Sequence, residues 1–265
     1  MNTNELIQLY KDGKSLSFLS EKFGQSTYLI KKLLLQNQIT IRTKAEQNSL
    51  TNQERGKKVN HEFFDKIDTL EKAWLLGFLM ADGTISSDRN RIKIGLSSVD
   101  REILEKIQKK IQSERNILDY ETAAGFKISE LVWSSKNHKE KLSKYGIVPN
   151  KTYKELHLPN LSKEMKLCFI LGYYDGDGCF RNDNATCRWE ICSYRPELLT
   201  EIANFLNLNY NGKAKISESV SRKNYYTITY STQVLTQFLD EMYLLSPIKL
   251  ERKYLKYQEW KNNRI

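Results

Sequence analysis

The chain has 265 residues, enough for one large domain or two to three small ones, and carries 42 Lys and Arg against 32 Asp and Glu, a formal charge of +10. That excess favours a polyanionic partner such as nucleic acid. No apolar run approaches the length of about 18 residues that a membrane span needs, and the polar start MNTNELIQLYKDG has no signal core, so an intracellular protein of cytoplasm or nucleoid is expected. Cys168, Cys179, Cys187 and Cys192 form no CxxC, and His61, His138 and His157 are scattered. This points away from zinc and towards reduced thiols.

Residues 1–40 read as three short helices. Asn4 to Lys11 ends at Asp12-Gly13, Ser15 caps the second, and Ser26 opens the third. The pattern is that of a helix-turn-helix, with Thr27, Tyr28, Lys31 and Lys32 on the candidate recognition face. A small helical bundle that binds protein is the competing reading. Residues 1–60 hold ten basic and five acidic residues, an excess of five, half of the whole chain's ten, and this favours DNA. Residues 41–62 lack apolar periodicity and read as a basic linker. Arg42, Lys44, Arg55, Lys57 and Lys58 are its candidate phosphate contacts, a solvated tether being the alternative.

From residue 63 the chain runs through one pattern twice, over 63–160 and 161–265. In the first copy a motif helix (about 69–81) precedes strands at 84–86 and 91–96, a helix around Ile103, Leu104, Ile107 and Ile111, strands at 116–122 and 126–134, and a helix at 136–144. In the second, a motif helix at 163–175 precedes strands at 179–181 and 188–193, a helix from Pro196, strands at 213–218 and 224–231, and a helix at 232–243. The order αββαββα, used twice, is α+β. Tyr225, Thr227 and Thr229 lie on one strand face and Tyr226, Ile228 and Tyr230 on the other, and the residues alone do not say which face is outward. Lys93, Lys127, Lys213, Lys215, Arg222 and Lys223 are candidate DNA-side charges.

The motif helices end in Leu75-Leu76-Gly77-Phe78-Leu79-Met80-Ala81-Asp82-Gly83 and Ile170-Leu171-Gly172-Tyr173-Tyr174-Asp175-Gly176-Asp177-Gly178. Gly77 and Ala81, like Gly172 and Gly176, are four apart and share a helix face. Two such faces can meet with backbones in close approach. Asp-Gly closes each copy, with Gly expected in the left-handed conformation past the last turn. Side-by-side packing then makes neighbours of Asp82 and Asp177, a costly pair unless a cation lies between them.

Both stretches resemble the signature of the LAGLIDADG homing endonucleases, two-motif single-chain type, over about residues 63–260. The resemblance puts Asp82 and Asp177 at the metal-binding eighth position, with Gly83 and Gly178 beside them at the metal. Met80 departs from the acid usual at the sixth position, which Asp175 keeps. Each repeat also ends in a basic element, and the resemblance makes Lys151 and Lys253 the active-site lysines, with Lys249 as the other choice in the second. It implies two sheets forming a saddle on DNA, Mg²⁺ or Mn²⁺ as cofactor, and a monomer on a long asymmetric duplex site. The expected activity is site-specific double-strand cleavage. An intron maturase, a catalytically inactive DNA-binding regulator of the same fold, and a protein-interaction module are the alternatives.

Overall fold

The computed structural model describes residues 2–56, 59–183 and 186–263. Two compact units divide the chain, residues 1–58 and 59–265.

Caps set the helices of the first unit. α1 (Thr3–Lys11) starts on Asn2, α2 (Leu16–Phe23) on Ser15 and α3 (Thr27–Gln36) on Ser26. Each cap side chain accepts from the backbone N–H three residues on. Gly24 ends α2 at φ +64°, a conformation that suits glycine. Leu6, Tyr10, Leu19, Ile30 and Leu34 close the small core.

The stretch expected as a linker is not irregular. α4 spans Lys44–Gly56, and it opens with a reciprocal cap: Glu46 N–H donates to Thr43 Oγ1, and Thr43 N–H donates to Glu46 Oε2. Thr-x-x-Glu is a capping box, a start signal masked by the lack of apolar periodicity behind it. Residues 59–62 belong to the second unit, where Val59 joins the core and Asn60 N–H donates to the Ile111 carbonyl.

The second unit begins with α5 (Leu70–Asp82), β1 (Gly83–Ile85), β2 (Arg91–Ser97), α6 (Arg101–Lys110), β3 (Leu118–Glu121), β4 (Lys127–Ser134) and α7 (Lys136–Ser143). It repeats as α8 (Lys163–Asp177), β5 (Gly178–Asp183), β6 (Thr186–Ser193), α9 (Pro196–Tyr210), β7 (Lys215–Glu218), β8 (Tyr226–Ser231) and α10 (Thr232–Leu245), and ends in α11 (Glu251–Asn262). Two antiparallel four-stranded sheets result, ordered β1-β2-β4-β3 and β5-β6-β8-β7. The duplicated α+β arrangement is therefore present in the fold as well as in the sequence. Strand alternation decides the faces. Ile92, Ile94, Leu131 and Trp133 turn to the core, as do Trp189, Ile191, Ile228 and Tyr230. The side of the second sheet left outward carries Thr227 and Thr229.

α5 and α8 pack against each other at the centre of this unit. Residues Ala73–Met80 and Leu167–Asp175 are buried without a break, as expected of helices apolar all round. Gly77 and Gly172 make the close packing possible. A Cβ on Gly77 would lie 2.0 Å from the Phe169 carbonyl oxygen, and one on Gly172 2.0 Å from that of Trp74. A Cβ on Gly176 would lie 2.4 Å from the Ala81 methyl. The expected face is thus the one used, and it brings backbone against backbone.

The glycines after the acids behave otherwise than expected. Gly83 (φ −69°) and Gly178 (φ −98°) are extended, and each is the first residue of a strand. Proximity, not a left-handed turn, explains them: a Cβ would lie 2.5 Å from the Leu79 carbonyl oxygen at Gly83 and 2.1 Å from the Tyr174 ring at Gly178.

Gly172→Ala tests the seam. Alanine gains about 1 kcal/mol as a helix former, but a methyl 2.0 Å from a carbonyl oxygen forces the helices apart. Overpacking costs about 1–3 kcal/mol and sometimes more, so the steric effect wins. Thermal melting should fall by several degrees at about 2–4 °C per kcal/mol. Gly95→Ala, with open space at its Cβ, should melt within about a degree of wild type.

Candidate active site

The seam ends at the two acids. Asp82 is the last residue of α5 and Asp177 the last of α8. Asp82 lies against the opposite helix, its Oδ2 3.2 Å from the position a Gly176 Cβ would take. Burial pushes the Asp82 carboxyl above the usual carboxylate range, against Lys253 and then Lys151. Burial, with the Asp82 charge adding to it, pushes Asp177 up to about 6. These are two carboxylates that resist ionising together.

Both expected lysines reach this end of the seam, in different ways. Lys151 opens a single 3-10 turn (Lys151–Tyr153) and donates to the Ala81 carbonyl at 2.8 Å. Burial lowers its pKa, while Asp177 and then Asp82 hold it up. Lys253, 4% exposed on the first turn of α11, donates to the carbonyls of Tyr174 (2.7 Å), Asp175 (2.8 Å) and Gly178 (2.6 Å). Each lysine thus meets carbonyls at the C-terminal end of its own repeat's motif helix, where the helix dipole is negative. For charge, each weighs most on a different acid: Lys253 on Asp82 among the acids of the pair, and Lys151 on Asp177. Lys249 takes no part, its ammonium lying 3.9 Å from the centre of the Tyr254 ring. Gly178, expected at the metal, accepts from Lys253 through its carbonyl.

Beside Asp177 opens a cavity of about 220 Å³, lined among others by Lys151, Tyr173, Cys192, Tyr194 and Tyr225. Nothing in the sequence singles out Tyr173 or Cys192 for this place. The parity of β6 places Cys192 opposite Thr227 on the outward face, a signal readable once pairing is known.

Asp175 is also a new participant. Buried, it accepts from Trp74 Nε1 at 2.9 Å and from the Leu250 N–H at 3.1 Å, both at Oδ2, and burial pushes it up to about 7. Its Oδ1 has no partner among the described residues.

The expected DNA contacts separate into free and spent. Thr27, Tyr28, Lys31 and Lys32 are exposed on α3, and Lys44 is exposed at the start of α4. Lys213, Arg222 and Lys223 are exposed as well, Arg222 over the Tyr225 ring. Arg42 is not a free charge. Its guanidinium lies 4.0 Å from the Tyr10 ring centre and donates to the carbonyls of Tyr10 and Lys14. Lys93 is paired with Glu130 at 2.7 Å. Lys127 has the strand parity of Leu131 and Trp133, so it sits on the helix-covered face at the sheet's exposed end. Lys215 takes the register position opposite Thr229. Its side chain, that of Arg55, and Lys57 and Lys58 lie outside the described residues.

A family model, the LAGLIDADG-like domain, matches residues 69–149 and 164–243. The chain belongs to the LAGLIDADG family. Both matched segments contain one motif helix and its sheet, so the family's unit occurs twice. Several solved structures are similar to this chain. The homing endonuclease I-WcaI bound to its DNA recognition sequence is 13% identical, with a TM-score of 0.51 over 81% of this chain and 94% of that one. I-DmoI in complex with DNA and Ca is 17% identical, with a TM-score of 0.49 over 75% and 99%. The N-terminal LAGLIDADG domain of WhiA is also 17% identical, with a TM-score of 0.46 over 69% and 87%. No curated protein matches the chain. No helix of the described residues is long and apolar enough to cross a membrane.

The crowded acids make a prediction in EDTA. The Asp177 carboxyl sits at about 6 in the fold against about 3.8 in the unfolded chain. A raised folded value means stability that is present below about 3.8 and lost as pH rises through 6. Asp177→Asn removes that loss. At pH 7.5 the variant should melt above wild type, by less than the full shift implies because solvent screens an exposed carboxylate, and the difference should vanish by about pH 4. Melting curves across pH 4–8 measure it. A variant melting below wild type throughout shows that the Asp177 charge is not a strain on the fold.

Proposed function

We propose that the protein is a metal-dependent, site-specific endonuclease that cuts both strands of duplex DNA. The observation that carries this reading is the pair of crowded acids, Asp82 half-exposed and Asp177 exposed, at the ends of two helices whose backbones touch. A protein that only bound DNA has no use for two carboxylates held where they resist charging, and removing either would relieve it.

The donor set fits a hard divalent cation. Among the described residues no group of three or more His, Cys, Asp or Glu is placed to hold a metal, which leaves two carboxylates. Mg²⁺ takes one or two carboxylates and fills its remaining positions with water and substrate phosphate. Asp82 and Asp177 would hold it, or Mn²⁺ in its place. When bound, it supplies water of lowered pKa and charge for the attacking and leaving oxygens. The chain's own part is to hold the two acids at one point through the seam, and to bring an ammonium beside them. Lys151 keeps two N–H donors beyond its bond to Ala81, enough to meet charge developing on a phosphate.

Duplex DNA as substrate is supported by the net charge of +10 and by the I-WcaI fold likeness, that enzyme being bound to its DNA recognition sequence. The reading takes the protein as a monomer, with one half-site per strand from its two repeats, on a long asymmetric target. The outward sheet faces form the saddle. The first unit adds a helix-turn-helix contact through Thr27, Tyr28, Lys31 and Lys32, all exposed on α3.

Selection from a randomised duplex library with Mg²⁺ identifies the target, and cleavage of a plasmid bearing it tests the site. Asp82→Asn and Asp177→Asn should each abolish double-strand cutting and keep DNA affinity, and EDTA should reproduce the loss in wild type. Cutting by either variant, or in EDTA, removes the acids from the reaction.

The first unit is tested by truncation. Removing residues 1–58 leaves the intact second unit, which should still cut but bind more weakly. The slope of log K against log salt should flatten by about 0.9 for every phosphate that the first unit neutralises. An unchanged slope shows that this unit meets no phosphates.

A further inference from the structure

The two repeats differ at the sixth motif position, and the difference reaches the lysines. In the second repeat Asp175 accepts from the Leu250 N–H, the residue just before α11. It is fixed from the other side by Trp74 Nε1. That clamp sets where α11 starts, and Lys253 lies on its first turn. Next to it, Arg252 Nε donates to both oxygens of Asp100, 2.9 Å each, tying α11 to the first repeat as well. Lys253 is then fully committed. An ammonium has three hydrogens, and three carbonyls accept them. Reaching a phosphate would leave buried carbonyls unpaired.

In the first repeat the sixth position is Met80, which has no carboxylate to clamp a backbone N–H. No helix follows. Asn150, at φ 58°, turns the chain into the single 3-10 turn that holds Lys151. Among the described residues Lys151 makes one hydrogen bond, to the Ala81 carbonyl. It lines the cavity beside Asp177 together with Tyr173 and Tyr225, and Lys253 is not among the residues lining that cavity. The carbonyls used also differ between repeats. Lys151 takes that of the seventh motif position, Ala81. Lys253 takes those of the fifth, sixth and ninth, Tyr174, Asp175 and Gly178.

We infer that the two halves of the site are unequal: Lys151 is the catalytic ammonium of one half, Lys253 is a positioning residue that holds the end of α8, and the duplex is cut in order, the Lys151 half first, through a nicked intermediate. This rests on the nuclease reading. The step is hydrolysis. A water oxygen bonds to phosphorus, the bond to the leaving deoxyribose oxygen breaks, the water loses one proton and the leaving oxygen gains one. Lys151 meets the charge that builds on the phosphate during this exchange. In the other half no side-chain ammonium among the described residues is free for this work, and cleavage there runs more slowly.

The test uses the full chain with Mg²⁺ and a library-selected duplex carrying a different dye on each strand. Wild type should build up a nicked species, one strand's product leading. Lys151→Met should slow that leading strand by about 10²–10⁴-fold, the usual range for removing a positioned catalytic group, with melting within a few degrees of wild type. On a duplex already nicked in the leading strand, Lys151→Met should cut the trailing strand within about threefold of wild type. Lys253→Met should melt well below wild type, and below its melting temperature should still nick the leading strand.

Three results would overturn the inference. Both strands appear together with no nicked species. Lys151→Met slows both strands equally. Lys253→Met melts like wild type and loses one strand's cleavage. If wild type selects and cuts no duplex with Mg²⁺ or Mn²⁺, the nuclease reading itself fails and the inference falls with it.

Discussion

Everything at the centre of the second unit depends on two helix backbones touching. Packed helices normally lie 8–10 Å apart because side chains separate them. At Gly77 and Gly172 there is none, and the space of a single Cβ is already filled by a carbonyl of the opposite helix. An approach this close gives van der Waals attraction along the whole seam, and it leaves little freedom to slide or twist. Among the apolar residues around it, Trp74 stacks on Phe78 one turn along α5, and Tyr174 stacks on Trp189 and so ties α8 to β6.

The cost of such a seam appears at its end. Two helices meeting C-terminus to C-terminus bring together two sets of unsatisfied carbonyls, two negative dipole ends and two carboxylates. The chain offsets part of this with two ammonium groups, Lys253 buried and Lys151 half-buried. Lys253 satisfies three carbonyls and Lys151 one. What is compensated only in part is the pair of acids, whose carboxyls stay above their ordinary range despite both lysines. On the reading proposed above a cation would sit at this pair, and the packing of two glycines would then serve the chemistry of a phosphodiester bond.

Duplication explains why the site is paired and not why its halves differ. The sheets have the same strand order, and the acids end equivalent helices. Divergence has acted beneath them. An acid at position 175 recruits the backbone before α11, whereas Met80 at the matching position recruits nothing. The methionine-for-aspartate difference goes together with a lysine on a single turn in the first repeat and on a helix in the second.

The sequence by itself determined the repeat, the helix and strand order of each copy, the small-residue faces and the two acids. Those features are local or periodic, so composition along the chain carries them: alternation marks strands, Gly four residues from a small residue marks a face, Asp-Gly marks an end. The caps at Ser15 and Ser26 are legible for the same reason, while the Thr43–Glu46 box is hidden because the helix behind it, α4, has no apolar stripe. Only the tertiary structure decided the rest. Arg42 and Lys93 read as free charges, but Tyr10 and Glu130, far off in sequence, take them up. Gly83 and Gly178 read as left-handed turns, yet close approach to the helix explains them. Whether Lys151 and Lys253 have hydrogens to spare depends on carbonyls some 70–80 residues away. Such partners meet only when distant segments pack, and no local pattern in the chain records them.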